Sequence, residues 1–119
     1  MNGWKLLLIL ASISASVNAM QQDICIQPQL IKPIEDWDII ASNKAVIKIS
    51  SYFKGSELTY SLTHNNINAA NKVSINEKTG EIKIVAESRD NFDIKVNATN
   101  SCGEVNSTFN VQIDQEDDD

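Results

Sequence analysis

Two sequons, two cysteines and three clusters of carboxylates hold most of the reactive or ligand-binding groups in this chain. Asn97-Ala98-Thr99 and Asn106-Ser107-Thr108 both fit the acceptor pattern for N-linked glycosylation in a secretory pathway. Cys25 and Cys102 are the only cysteines. An even pair in a small domain of an oxidising compartment reads as a disulfide rather than a reactive thiol or metal pair. No histidine or third cysteine stands beside either one in sequence to complete a zinc site. Carboxylates gather at Glu35-Asp36-Trp37-Asp38, at Asp90-Asn91-Phe92-Asp93 and in the run from Asp114 to Asp119. Calcium needs about six to eight oxygens aimed at one point. Glu35, Asp36, Asp38, Asp90 and Asp93 would contribute to such a site if folding brought the first two clusters to one end. A solvated acidic face is the plainer reading, and no other cofactor is implied. His64, the only histidine, sits beside an Asn-rich stretch. Hydrolytic catalysis needs such a base next to an activated Ser or Cys. Both cysteines are already assigned to a disulfide, so the chain reads as a non-enzyme. Trp37 reads as a cover over one end of a core; exposed, it would be a contact anchor.

The compartment is set by the first residues. Lys5 precedes an apolar run from Leu6 to Ala11, then small and polar residues to Ala19. Val17 and Ala19 stand at minus three and minus one of a cleavage site before Met20, which describes a secretory signal peptide over 1–19. The apolar stretch is short and serine-rich for a membrane span, and nothing later is long enough to cross a bilayer. The product is expected to be secreted and not inserted in a membrane. Loss of Lys5 takes the formal charge from −6 to −7. An acidic chain with no basic stripe on any one strand argues against nucleic acid as a partner.

The elements that must position these groups are strands. Phe92, Ile94, Val96 and Ala98 alternate with Asp93, Lys95, Asn97 and Thr99; the pattern resumes through Val105, Ser107, Phe109, Val111 and Ile113. Side chains alternate faces along a strand, so each run has a wet and a dry side. Folding about Ser101-Cys102 sets Ala98 opposite Val105, Ile94 opposite Phe109 and Phe92 opposite Val111. A slip of one residue destroys that match. The two sequon asparagines then face each other on the wet side, about 5 Å apart. Upstream, Ala45-Ile47-Ile49 and Leu58-Tyr60-Leu62 alternate in the same way. Val73 and Ile75 meet Ile82 and Ile84 across a turn whose Gly80 supplies positive φ. Residues 64–72 read as a polar loop with room for one helical turn. Residues 20–43, with Pro28 and Pro33, read as an extended lead-in to a domain over 44–113, and 114–119 as an acidic disordered tail. About seven short strands with regular turn signals describe an antiparallel sandwich.

Lys44 to Leu62, Val73 to Ile82 with its Thr79-Gly80 step, and Phe92 to Asn100 with its Ala98-Thr99 ending together resemble a dystroglycan-type cadherin-like domain, over about residues 36–113. The resemblance implies an all-β, immunoglobulin/cadherin-like β-sandwich from the extracellular part of an adhesion protein. Asn100 stands where that family commonly has aspartate, and the calcium-linker motifs of true cadherins are absent. The expected function is a secreted or cell-surface recognition or adhesion module that binds an extracellular protein or glycan. The alternatives are a small protease inhibitor using loop 64–72 and an amino-terminal spacer of a larger surface protein. Alternation does not disclose strand order or oligomeric state.

Overall fold

A computed structural model of the chain describes residues 24–116. The expected signal peptide, 1–19, and Asp117 to Asp119 lie outside the described residues. In chain order the strands are β1 (Gln29–Leu30), β2 (Trp37–Ile40), β3 (Asn43–Lys48), β4 (Phe53–Lys54), β5 (Thr59–His64), β6 (Lys72–Ile75), β7 (Glu81–Ala86), β8 (Asp90–Asn100) and β9 (Gly103–Asp114). A 3-10 turn over Ser50–Tyr52 is the only helical element among the described residues. Setting aside the two-residue pair β1–β4, seven strands remain among the described residues: six on the alternating runs, and β2 in the segment expected to be a lead-in. They form two sheets: β2-β9-β8-β5, and β3-β7-β6.

The last hairpin has the register that its apolar pattern demands, with Phe92 opposite Val111, Ile94 opposite Phe109 and Ala98 opposite Val105. Its dry face meets the dry face of the other sheet. Phe92, Ile94, Val96, Phe109, Val111 and Ile113 are all buried against Ile47, Ile49, Ile82 and Ile84. Each such side chain contributes about 1.5–3 kcal/mol on leaving water. The β6–β7 turn depends on Gly80, at φ 75°. A Cβ there would stand 3.1 Å from Ile49 Cδ1 and 3.3 Å from the Tyr60 ring, so the position needs glycine for both its φ and its space. Asn76 shapes the same turn by accepting from the Lys78 and Thr79 amides at 2.9 and 3.0 Å.

The lead-in segment is more integrated than its prolines suggest. Its β2 runs parallel to β9, with Trp37 beside Val111 and Ile39 beside Ile113, and so forms one edge of the four-stranded sheet. Ile34 and Ile39 are buried, and Trp37 is half-buried against the core. Ser107, the one polar residue on the dry side of β9, accepts from the Ile34 amide at 3.3 Å. The sandwich therefore starts before residue 44, and β9 runs through Asp114, the first residue assigned to the tail.

Loop 64–72 contains no helical turn. Asn68 Oδ1 accepts from the Ala70 amide at 2.9 Å, an Asx turn that competes with helix. Buried Asn71 then anchors the loop. Its Oδ1 accepts from the Glu87 and Ser88 amides at 2.7 and 2.9 Å, and its Nδ2 donates to Ser88 O and Asp90 Oδ2.

Candidate functional site

Cys25 and Cys102 form a disulfide, with Cα atoms 6.1 Å apart. It fastens the lead-in segment to the tip of the β8–β9 hairpin. Asn100 reinforces the join, donating to Ile26 O at 2.7 Å and to Ser56 O at 2.8 Å. Both cysteines are thus structural.

Three of the five carboxylates of the first two clusters already have protein partners, and β9 lies between β2 and β8. Asp36 Oδ1 accepts from the Asn110 amide at 2.8 Å, and Asp93 Oδ1 accepts from Asn110 Nδ2 at 2.9 Å. Asp90 accepts from the Asn68 and Asn91 amides and from Asn71 Nδ2. Desolvation alone would raise its pKa, but these three donors outweigh it and hold Asp90 below the usual carboxylate value. Glu35 and Asp38 are exposed. Among the described residues no group of three His, Cys, Asp or Glu side chains is placed to hold a metal ion. His64 donates from Nδ1 to Asn65 O at 2.8 Å, with its ring against the edge of Phe92.

Two outer faces remain, and their chemistry differs. On the four-stranded sheet, Ser61, Asn97 and Asn106 form one row across β5, β8 and β9. Asn106 is exposed and Asn97 half-buried. Below them Asn91, Asn110 and Gln112 hydrogen-bond to one another, and Gln112 donates to Asp114 at 3.1 Å. This face carries amides and hydroxyls beside Asp93 and Lys95, and its lower rows are bonded to one another.

The three-stranded sheet presents lysines. Lys44, Val85 and Lys72 form its first outer row, Val46, Lys83 and Ser74 its second, and Lys48 pairs with Glu81 in the third. All four lysines are exposed, as is Val46. Four lysines and one glutamate give this face a formal +3, on a chain whose total is −6. The expectation of no basic stripe holds strand by strand and fails for the sheet. No strand carries more than two of these lysines; register supplies the rest. Three shallow grooves line the same face. One of about 310 Å³ runs between Lys44, Val46, Lys83 and Val85. The next, about 240 Å³, lies along Ser74, Asn76, Glu81 and Lys83. The third, about 420 Å³, reaches Lys48, Ser50 and Thr79. Shared residues Lys83, Asn76 and Glu81 join them into one track. The missed signal was partly local, because the Gly80 turn alone sets Lys83 opposite Ser74 and Lys72 opposite Val85.

No protein-family model matches this chain, and no curated protein matches its sequence. Solved structures match it in fold. Titin domain M7 superposes with a TM-score of 0.55 at 18% identity, covering 76% of this chain and 96% of that one. A SusE-like, surface-located polysaccharide-binding protein from the heparin utilisation locus of Bacteroides thetaiotaomicron gives 0.59 at 20% identity, over 75% of this chain and 15% of that one. A proposed alpha-galactosidase from Bacteroides fragilis gives 0.58 at 18% identity, over 73% of this chain and 17% of that one. The chain therefore spans under a fifth of either bacterial protein and nearly all of the titin domain. At these identities the likeness establishes the fold, an immunoglobulin-like β-sandwich.

Proposed function

We propose that this chain is a non-enzymatic extracellular recognition module, secreted or displayed at a cell surface, that holds a protein or glycan against the outer face of its three-stranded sheet. The observation that carries this reading is the coincidence of the grooved track with the lysine cluster on an otherwise acidic molecule. Single-sign charge on one face raises the local concentration of an oppositely charged ligand and orients its approach. The disulfide supports an oxidising, extracellular setting. The resemblance to a dystroglycan-type cadherin-like domain supports adhesion as the setting, and the polysaccharide-binding name of one structural neighbour supports a glycan among the ligand classes.

The test is retention on the immobilised, oxidised protein of a panel of extracellular proteins and acidic, neutral and basic glycans. The reading expects at least one class to be retained, and retention to be lost in Lys44→Glu/Lys83→Glu with an unchanged melting temperature. Retention that is equal in the variant moves binding off this face, and no retention at all removes the reading.

A further inference from the structure

We infer that the ligand of the lysine face is a linear acidic polysaccharide, sulfated or carboxylated, lying along the track from Lys44 to Thr79. The inference rests on the reading of that face as the binding surface and names what it binds. Adjacent strands are about 4.8 Å apart, so Lys44 on β3 and Lys72 on β6 stand about 10 Å apart across the sheet. Lys44 and Lys48 are four residues apart on one strand, about 13 Å. Lys83 lies between them, on the central strand. Positive charge is therefore spread over a surface rather than focused in a pocket, as a repeating polyanion requires and a small anion does not.

The side chains along the track suit such a ligand. All four bases are lysines, compact charges on flexible stems, able to follow charge distributed along a chain. Ser74, Asn76 and Thr79 along the track offer hydroxyl and amide groups to sugar hydroxyls. Glu81, next to Lys48, breaks the positive field at one point, so the ligand must place an uncharged group there.

Other polyanions fit less well. An acidic peptide added as an extra strand binds at a sheet edge, through unpaired backbone groups. This track lies on a sheet face centred on β7, whose backbone is paired on both sides. Single-stranded nucleic acid is held by stacking on aromatic rings, and the outer positions of β3, β7 and β6 carry Lys, Val, Glu and Ser. A membrane surface is held by a broad apolar face with aromatic anchors, where this face offers only Val46 and Val85.

The experiment measures equilibrium binding of the oxidised protein to heparin, polygalacturonate, neutral dextran, polyaspartate and single-stranded DNA. The variants are Lys44→Gln/Lys83→Gln and a control of equal charge loss, Lys54→Gln/Lys95→Gln, whose lysines lie elsewhere. Heparin or polygalacturonate is expected to bind, with affinity falling as ionic strength rises, and dextran to remain unbound. The face variant is expected to weaken binding on the order of thirtyfold, at about fivefold per lysine, and the control by far less. Lysine-dependent binding of polyaspartate or DNA in preference to both acidic glycans overturns the ligand class and leaves the face standing. Equal weakening by the two double variants overturns the face as well. No binding of any polyanion by the parent protein overturns the inference outright.

Discussion

The four-stranded and three-stranded sheets share one core and differ on their outer sides. Both bury an apolar set, Phe, Ile and Val beside Ser107 on one and Ile with Ala86 on the other, because a one-residue slip would put that set in water. Outside, one sheet carries asparagines and threonines, with Asn91, Asn110 and Gln112 bonded together, and the other carries lysines beside open grooves. The lesson is that packing constrains only every second residue of a strand. The other half is free to vary, and there a sandwich of this kind acquires its chemistry.

The largest predicted effect strikes the side the two sheets share. Ile94→Asp places an unpaired charge at a fully buried position and is expected to leave the domain unfolded at room temperature. The next residue, Lys95→Asp on the outer side, should change stability by about 0.5 kcal/mol or less. Far-ultraviolet circular dichroism on the pair checks both; similar melts would overturn the assignment of dry and wet sides.

Next comes the clamp at the hairpin tip. Cys25→Ser/Cys102→Ser opens a loop with a sequence separation of 77 residues, and is expected to cost about 3–5 kcal/mol in urea denaturation. Asn71→Ala follows, at about 2–3 kcal/mol, because the Glu87 and Ser88 amides lose their acceptor. Asn71 precedes Lys72, so this substitution should also weaken ligand binding at the first lysine row. A variant that lost stability but bound ligand unchanged would show that the loop and the lysine face are independent.

Acid should weaken the anchor of loop 64–72 at Asp90, which accepts from Asn68 and Asn71. Its folded pKa is depressed, so its contribution is present above the unfolded value and is lost as pH falls through the folded value. Denaturation midpoints should therefore drop in the acid range, and Asp90→Asn should flatten that drop. An unchanged acid slope in the variant would remove Asp90 as its source. The smallest effect on stability is expected from the sequons. In a eukaryotic secretory host, Asn106→Gln should remove more glycan mass than Asn97→Gln, because Asn106 is the more exposed of two asparagines that share a row. Intact-mass measurement reads this directly. Glycans on that side would leave the lysine face uncovered, sharpening the contrast between the two.

Much of this architecture could be read residue by residue. The β8–β9 register follows from two matched alternations joined by a short turn, so every pairing is local. The β6–β7 hairpin follows likewise from Val73, Ile75, Ile82, Ile84 and Gly80. Strand β2 was not legible, because its partner β9 lies about 74 residues downstream and its pairing is parallel. The anchoring of loop 64–72 was also hidden. An asparagine in an Asn-rich stretch gives no sign that it is the one buried and fully bonded.

Local physics therefore decided the strands from β3 onward that alternate, the dry face of each, both hairpin registers and, through an even cysteine pair, the covalent clamp. All of these follow from side-chain alternation and chain connectivity, which are properties of a sequence. The tertiary structure alone decided that Lys44, Lys48, Lys72 and Lys83 share a surface. The pairing of β3 with β7 joins segments about 40 residues apart, and burial of Ile47 with Ile82 and Ile84 in the common core favours that register. The candidate site is a by-product of that choice: the core fixed the register, and the register aligned the charges.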